Sequence, residues 1–191
     1  MSELLARDFG VTVYHYDYHD ARGHQDRRIA RRVALGEPVA DPEPEQVWTG
    51  RSPEEMAAET LAGFPVRFEW ALDDLRALST GRPAIAEGWG LRPELVAPLI
   101  DSVRRMVVLV PTEDFRQHQI RTLRRAGALG VPVGDPARAQ ANRIARDRLV
   151  AEDVVRGARR LGIRVIEVDG TRDAAGVAAL VAEHFGPWLR A

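Results

Sequence analysis

The chain has 191 residues, of which 45% are hydrophobic and 29% are charged, and its formal net charge is −1. This size and composition are typical of one globular domain, and the balanced charge gives no general attraction to nucleic acid or to an anionic membrane. There is no cysteine and no lysine, so disulfides, thiol nucleophiles and any catalytic lysine from this chain are excluded. No apolar run approaches the ~20 residues of a membrane span and no signal-peptide pattern is present, so we expect a cytoplasmic protein.

The first residues predict a short helix and then a strand that ends at an acid. Ser2–Phe9 has helical apolar spacing, and Gly10 follows as a helix stop. Residues 11–16 are β-branched and aromatic, as in a strand, and this strand ends at Asp17. A polar cluster that includes His19 and Asp20 comes directly after it.

The next segment predicts a flap followed by two helices. Residues 36–53 are rich in proline and acid, which is typical of a surface loop. Ser52 and Glu55 form a capping-box pattern that begins a helix. We expect Pro65 to stop or kink this helix, with a second helix continuing to about residue 78.

Residues 82–116 predict a strand–helix–strand unit with parallel strands. A short apolar run ends at Glu87, and a helix-like segment at 93–103 leads to a second apolar run at 106–110. In open parallel sheets, ligands bind beyond the carboxyl ends of the strands. Asp17 and Glu87 should therefore lie at one edge, where they can orient a substrate hydroxyl, act as a base or hold Mg²⁺ through water.

The rest of the chain continues the alternation of helices and strands. Its predicted elements are an arginine-rich helix at 113–125, a glycine-rich loop at 127–135, a long helix at 136–161, a strand at Arg164–Val168 and a last helix at 174–185. Alternating strands and helices predict an α/β fold, here a three-layer sandwich with a parallel sheet of about four strands. We expect a single domain over residues 1–191.

Arginines are concentrated on the two predicted helices that flank the glycine-rich loop. They are Arg116, Arg121, Arg124, Arg125, Arg138, Arg143, Arg146 and Arg148. Guanidinium groups bind phosphate bidentately and stabilise transferring charge, so the cluster favours an anion-binding lid. The alternative is a solvated helix face in a chain whose basic residues are all arginine. The tryptophans are not interleaved with these arginines, which favours packing in the core or flap over base stacking.

A metal or hydrolytic site at His15, Asp17 and His19 is a weaker alternative. These side chains share one face only if the first strand extends as far as His19. Their spacing matches no compact ligand set of the kind that zinc sites use.

Four motifs together resemble those of P-loop small-molecule kinases, in particular nucleoside and nucleotide kinases and shikimate kinases. They are the strand ending at Asp17, the strand ending at Glu87-Gly88, the segment with Arg143, Arg146 and Arg148, and the late strand followed by Asp169-Gly170. The resemblance covers nearly the whole chain in the order of its elements, although each motif is short. It implies ATP and Mg²⁺ as cofactors and a small metabolite, such as a nucleoside or nucleotide, as substrate.

The resemblance also implies roles for individual residues. Asp17 would contact the substrate, with His19, Asp20 and Gly88 beside it, and Glu87 would lie near Mg²⁺ and the substrate hydroxyl. Arg143 and Arg146 would stabilise the transferring phosphoryl group. The nucleotide would be contacted by Arg148, Asp169, Gly170 and Thr171. Residues 18–80 would form the substrate-side flap, and residues 113–150 the lid.

The departure from this family is the phosphate loop. The family has a central first strand and a glycine-rich loop ending in Gly-Lys-Ser/Thr, and no segment of this sequence matches either. We therefore expect an N-terminally shortened, inactive kinase, by a late start codon or by divergence. A non-catalytic nucleotide- or anion-binding module is the alternative. The strand at 83–86 and the strand at 106–110 would then pair directly, leave a gap or enclose a partner.

Overall fold

A computed structural model describes residues 1–189, with the backbone but not the side chains of Arg124 and Arg125. The contributions expected from those two side chains, and the last two residues of the predicted domain, lie outside the described residues. In chain order the helices are α1 Ser2–Phe9, α2 Tyr16–Tyr18, α3 Gln25–Leu35, α4 Pro44–Trp48, α5 Pro53–Ala77, α6 Pro93–Val96, α7 Glu113–Thr122, α8 Arg124–Gly127, α9 Pro136–Arg160 and α10 Ala174–Leu189. The strands are β1 Thr12–His15, β2 Ala84–Glu87, β3 Val107–Pro111 and β4 Arg164–Val168.

The strands form two separate parallel pairs. β1 pairs with β2, so that His15 lies opposite Glu87, and β3 pairs with β4, so that Pro111 lies opposite Val168. The mixed α/β class with parallel strands is thus confirmed. The predicted single sheet of about four strands is not formed, because β2 and β3 are not hydrogen-bonded to each other in the described chain.

A cavity of about 1040 Å³ separates the two pairs. All four residues of β2 and all five of β3 line it. The two strands could pair directly, leave a gap or enclose a partner. In this structure they leave a gap.

Helices cover both faces of the strand pairs, and the alternation of side chains in the strands explains how. On one face, Ile85 and Leu109 pack against a cluster that contains Leu5 of α1 and Val181 of α10. On the opposite face, Ala86 packs against the cluster that contains Ala71 of α5. Val108 there joins a cluster with Ala158 of α9, and Val110 packs against it. Each strand pair thus has an apolar layer on each side.

Helix α5 runs without a break through Pro65, so the predicted stop at this residue is wrong. Proline removes one helical hydrogen bond and crowds the preceding turn. Phe64 and Phe68 are both buried, so tertiary packing fixes the helix on either side of Pro65. Arg67 also donates hydrogen bonds from its side chain to carbonyl oxygens of the preceding turns.

Two other predicted segments differ from the structure. The helix expected at 93–103 is only α6, followed by 3₁₀ turns at Ala97–Leu99 and Val103–Arg105. The flap at 36–53 contains the short helix α4. Among the helices of residues 1–189, none combines the length and apolar character needed to cross a membrane.

The capping box of α5 gives a stability prediction. Ser52 accepts a hydrogen bond from the backbone N–H of Glu55, and the Glu55 carboxylate accepts one from the backbone N–H of Ser52. Replacing Ser52 with Ala should lower the free energy of unfolding by about 1 kcal/mol, because one N–H at the helix start loses its partner. Chemical denaturation measures this change. Ser79→Ala, outside any helix, is the control, and equal losses in both variants would contradict the assignment.

Candidate functional site

The carboxyl ends of β2 and β3 lie at the same edge of the molecule. Neighbouring residues of α9 contact both a residue that follows β2 and a residue that follows β3. The guanidinium of Arg146 lies 5.7 Å from the ring centre of Trp89, which follows β2. Arg148, two residues later on α9, forms an ion pair with Glu113, which follows β3. The expectation that the strand ends share one edge is therefore met.

Seven charged residues line the central cavity. Two of them are already engaged or lie elsewhere: Arg92 is bonded to α9, and Arg105 precedes β3. The other five are Asp17, Glu87, Asp147, Arg116 and Arg146. Three carboxylates and two guanidinium groups thus face one space, together with apolar side chains of β2 and β3. This arrangement suits a ligand that has an anionic part and a hydrogen-bonding part.

The Asp17 carboxylate is fixed by the turn after β2. Its Oδ1 accepts a hydrogen bond from the backbone N–H of Trp89 at 3.0 Å. Gly88 has a φ of 143°, and a Cβ at this position would lie 2.6 Å from Cβ of Tyr16 and 2.7 Å from Oδ1 of Asp17. Glycine at position 88 is therefore what allows the turn to approach Asp17.

Burial by surrounding protein atoms raises the pKa of Asp17, and the nearby charge of Glu87 adds to the rise. The hydrogen bond from Trp89 lowers this pKa and partly offsets the rise. The carboxylate is crowded by protein yet reachable by solvent through the cavity. Such a group is a better proton acceptor than an ordinary surface aspartate.

Glu87 is held by a histidine between two carboxylates. His15 Nδ1 lies 2.5 Å from Oε1 of Glu87, and Nε2 lies 3.0 Å from Oε1 of Glu3. Only a protonated imidazole donates from both nitrogens at once. The hydrogen bond to Glu87 accordingly raises the pKa of His15, with smaller contributions from Glu3.

The two arginines of the site keep unused hydrogen-bond donors. The Arg146 guanidinium lies close to the rings of both Trp48 and Trp89, with ring centres 5.1 Å and 5.7 Å away. Its Nε is buried and makes no hydrogen bond, although Asp147 Oδ1 lies 2.8 Å away in an unsuitable geometry. The Nε of Arg116 is likewise buried without a hydrogen bond, 3.7 Å from Glu113. An oxyanion in the cavity would satisfy such donors.

Other predicted lid and nucleotide residues do not line the cavity. Arg143 donates hydrogen bonds to Gln140 and to the Ala126 carbonyl, which ties α8 to α9. Arg148 is engaged by Glu113. In the loop after β4, Asp169 accepts hydrogen bonds from Thr171, and Gly170 packs against the ring of Phe115.

Two predicted substrate residues also lie away from the cavity edge. His19 stacks on Tyr14, with ring centres 4.5 Å apart. Asp20 is buried and pairs with Arg67 at 2.9 Å. The π-helical turn His19–Gly23 directs both toward α5 rather than toward Glu87.

The alternative metal site is not assembled in the structure. β1 ends at His15, and the chain then enters a helical turn, so strand alternation does not extend to His19. His15 is engaged by Glu3 and Glu87, while His19 lies 3.8 Å from Asp74. Across the described part of the chain, no group of three or more acid, histidine or cysteine side chains is arranged to hold a metal ion.

The sequence reasoning missed two features of this site. Tyr16 is fully buried, and its hydroxyl makes no hydrogen bond. A Cβ at Gly90 would lie only 2.0 Å from the Tyr16 ring, so the second glycine of the Gly88–Gly90 turn accommodates this tyrosine. The sequence signal for this tight turn is the pair of glycines, Gly88 and Gly90, on either side of Trp89.

Comparison of this chain with protein-family models, with curated proteins and with solved structures finds no match.

Removing the charge of Asp17 should stabilise the protein at neutral pH. A carboxyl whose pKa is raised by folding contributes stability below its unfolded pKa, and this contribution is lost as the pH rises through the folded pKa. Asp17→Asn keeps an acceptor for Trp89, so we expect a melting temperature about 2 °C higher at pH 7. Glu152→Gln, on an exposed helix face, is the matched control. A gain that persists below about pH 3, where Asp17 is mostly protonated in both the folded and the unfolded chain, would contradict the electrostatic explanation.

The charged state of His15 should appear directly in its titration. Because its pKa is raised, its contribution to stability is complete below the unfolded value of about 6.5 and is lost as the pH rises through the folded pKa. His15→Gln should therefore lower the melting temperature most near pH 6 and least near pH 9. Exposed His118→Gln serves as control. An NMR midpoint for His15 at or below about 6.5 would refute this prediction.

Proposed function

We propose that this chain provides the substrate side and the lid of an ATP-dependent phosphotransferase of the P-loop type, a kinase of a small metabolite such as a nucleoside or nucleotide. The observation that supports it is the meeting of three carboxylates and two guanidinium groups at the carboxyl-end edge of parallel strands, around one cavity. We further propose that both strand pairs belong to one P-loop-type sheet whose centre is the cavity. In parallel sheets, ligands bind at such an edge.

Asp17 is the proposed base. The substrate hydroxyl donates to the Asp17 carboxylate while its oxygen attacks the γ-phosphorus of ATP. The new oxygen–phosphorus bond forms as the bond to the β–γ bridging oxygen breaks, ADP leaves, and the hydroxyl proton passes to Asp17. The raised pKa of Asp17 favours this role, because a base works best when its pKa approaches the working pH.

Glu87 is the carboxylate that we propose to lie beside Mg²⁺. Protein sites for Mg²⁺ typically supply one or two carboxylates and leave the other positions to water and phosphate. His15 engages Oε1 of Glu87, so Oε2 remains for a metal-bound water. These residues therefore fit a site of this kind, and a bound Mg²⁺ would neutralise charge on the β- and γ-phosphates.

Arg116 and Arg146 are the proposed phosphate ligands, replacing the pair Arg143 and Arg146. Arg116 and Arg146 each have a buried Nε without a hydrogen bond, whereas Arg143 is engaged by Gln140 and Ala126. The contacts of Arg146 with the rings of Trp48 and Trp89 restrict its guanidinium. A restricted guanidinium loses less entropy when it binds an anion.

The alternative function is a non-catalytic module that binds a nucleotide or another anion. It is favoured by the arginine-only composition, because the phosphate loop of P-loop kinases supplies a lysine and this sequence has none. The same cavity edge would bind the anion without transferring phosphate. Binding without turnover separates this alternative from the kinase.

We expect this chain by itself to bind ATP and Mg²⁺ weakly, with a dissociation constant in the millimolar range, because a few arginine contacts supply only about 4 kcal/mol. Arg146→Gln should weaken this binding by about tenfold, since one charge-assisted contact is lost. Isothermal titration calorimetry with ATP–Mg²⁺ and with pyrophosphate measures both values.

Arg104→Gln is the matched control, because Arg104 is exposed and does not line the cavity. Phosphate transfer to hydroxylated metabolites is followed in parallel with γ-labelled ATP. Submicromolar binding of ATP would contradict the expected weakness, and equal binding by Arg146→Gln and Arg104→Gln would contradict the site itself.

A further inference from the structure

The most unusual feature of the molecule is the space between β2 and β3, which we call the central slot. β2 is hydrogen-bonded to β1 along one edge, and β3 is hydrogen-bonded to β4 along one edge. The other edges face the cavity and have no strand partner within the described residues. Two rows of backbone N–H and C=O groups therefore border the same space.

The side chains of β2 and β3 are also less buried than those of parallel strands usually are, which indicates that the slot has room for a further segment. Parallel strands normally lie in the middle of a protein and are buried on both faces. In β2 and β3, however, Ile85, Leu109 and Val110 are only half-buried, although helices cover both faces. Their remaining exposure is to the cavity between the strand pairs.

We propose that the central slot binds one extended aliphatic peptide segment, which lies parallel to β2 and β3 and joins the two strand pairs into one five-stranded sheet. Only an extended peptide presents donors and acceptors along both of its sides. A segment of five residues matches the length of β3 and spans about 17 Å. This inference concerns the fold and does not depend on the proposed function.

The walls of the slot specify the side chains of this segment. One wall contains Leu5 of α1 with Val181 and Phe185 of α10. The opposite wall contains Phe68 of α5 and Val154 of α9, together with other apolar residues. Side chains of a strand alternate between two faces, so an aliphatic residue at every position would bury itself against one wall or the other.

The ends of the slot specify its direction. At the carboxyl ends of β2 and β3 it opens beside Asp17 and Glu87, and Met1 at the start of α1 also lines it. A parallel segment would end at this opening. Met1 therefore lies at the end of the slot where the carboxyl end of a parallel segment would be.

A second copy of the whole chain is a poor occupant, because α1 and α10 on one side and α5 and α9 on the other restrict access to the slot. A small apolar ligand would fill space but would leave both rows of backbone groups unpaired. That cost favours a peptide backbone, since a buried backbone group without a hydrogen-bond partner destabilises the structure that contains it.

Hydrogen exchange of the unmodified protein with a synthetic peptide tests the proposal. The probe is a Val-Leu-Ile-Val-Val segment with two lysines at its amino end for solubility. At ten times its dissociation constant it leaves about one slot in eleven empty, so amides on the slot edges of β2 and β3 should exchange about tenfold more slowly. The same peptide with alternate N-methylated backbone nitrogens keeps the side chains but lacks donors, and it should give no protection.

The proposal is contradicted if the unmodified peptide gives no protection or if the N-methylated peptide gives equal protection. It is also contradicted if the amides at these edges already exchange slowly before any peptide is added, with or without a dimer that light scattering detects. A protein variant gives an independent reading. Leu109→Glu should abolish protection, while Val33→Glu, an exposed valine outside the slot, should retain it.

Direction is tested by attaching the segment to Met1 through a linker of six glycine and serine residues. The linker gives an effective concentration in the millimolar range or above, so the fusion should melt at a higher temperature than the unmodified chain. The same fusion with a two-residue linker, which spans only about 7 Å at full extension and cannot reach the amino ends of β2 and β3, should give the same rise. Loss of the rise with the short linker would contradict the parallel placement.

Discussion

Backbone hydrogen bonding at the inner edges of β2 and β3 is the constraint on which the rest of this structure depends. A parallel sheet is stabilised when inner strands are paired on both edges and covered on both faces. Here the faces are covered by α1 and α10 and by α5 and α9, but the inner edges border a cavity. Apolar packing thus keeps the strand pairs together without the hydrogen-bonded ladder that would align them.

Helix α9 compensates for much of this missing alignment. Arg92, which follows β2 and is almost fully buried, donates hydrogen bonds from its guanidinium to the Val150 carbonyl and to Asp153 on α9. Farther along α9, Ala158 is buried with Met106 at the start of β3. The position of the carboxylates of one strand pair relative to the arginines of the other is consequently set by one helix. The geometry of the candidate site therefore depends on how firmly α9 is packed against the two strand pairs.

The sequence predicted most of the local structure because its signals act over short distances. The glycine stop after α1, the capping box at Ser52 and the β-branched run of β4 each determine an element within a few residues. The continuity of α5 through Pro65 was not predictable, because buried packing on both sides of the proline overrides its local effect. The separation of the predicted sheet into two pairs could not be predicted for a related reason, since periodicity identifies strands but not their partners.

The site was predictable only in part. Asp17, Glu87 and Gly88 could be placed because strand ends and turns follow directly from the pattern. The choice among arginines could not be made, because it depends on which helix face meets the cavity and which carbonyls and acids engage the others. Arg146 lines the cavity, whereas Arg143, about one helical turn earlier in α9, bonds to the backbone of α8.

The absence of lysine has a consequence for how this edge responds to its surroundings. A guanidinium stays protonated at every pH that a cell experiences, so the positive charges of Arg116 and Arg146 do not vary. Two groups at this edge, Asp17 and His15, have raised pKa values, so they take up protons at a higher pH than an ordinary aspartate or histidine side chain does. Acidification therefore makes the electrostatic potential at this edge more positive. The attraction of an anion should accordingly strengthen as the pH falls.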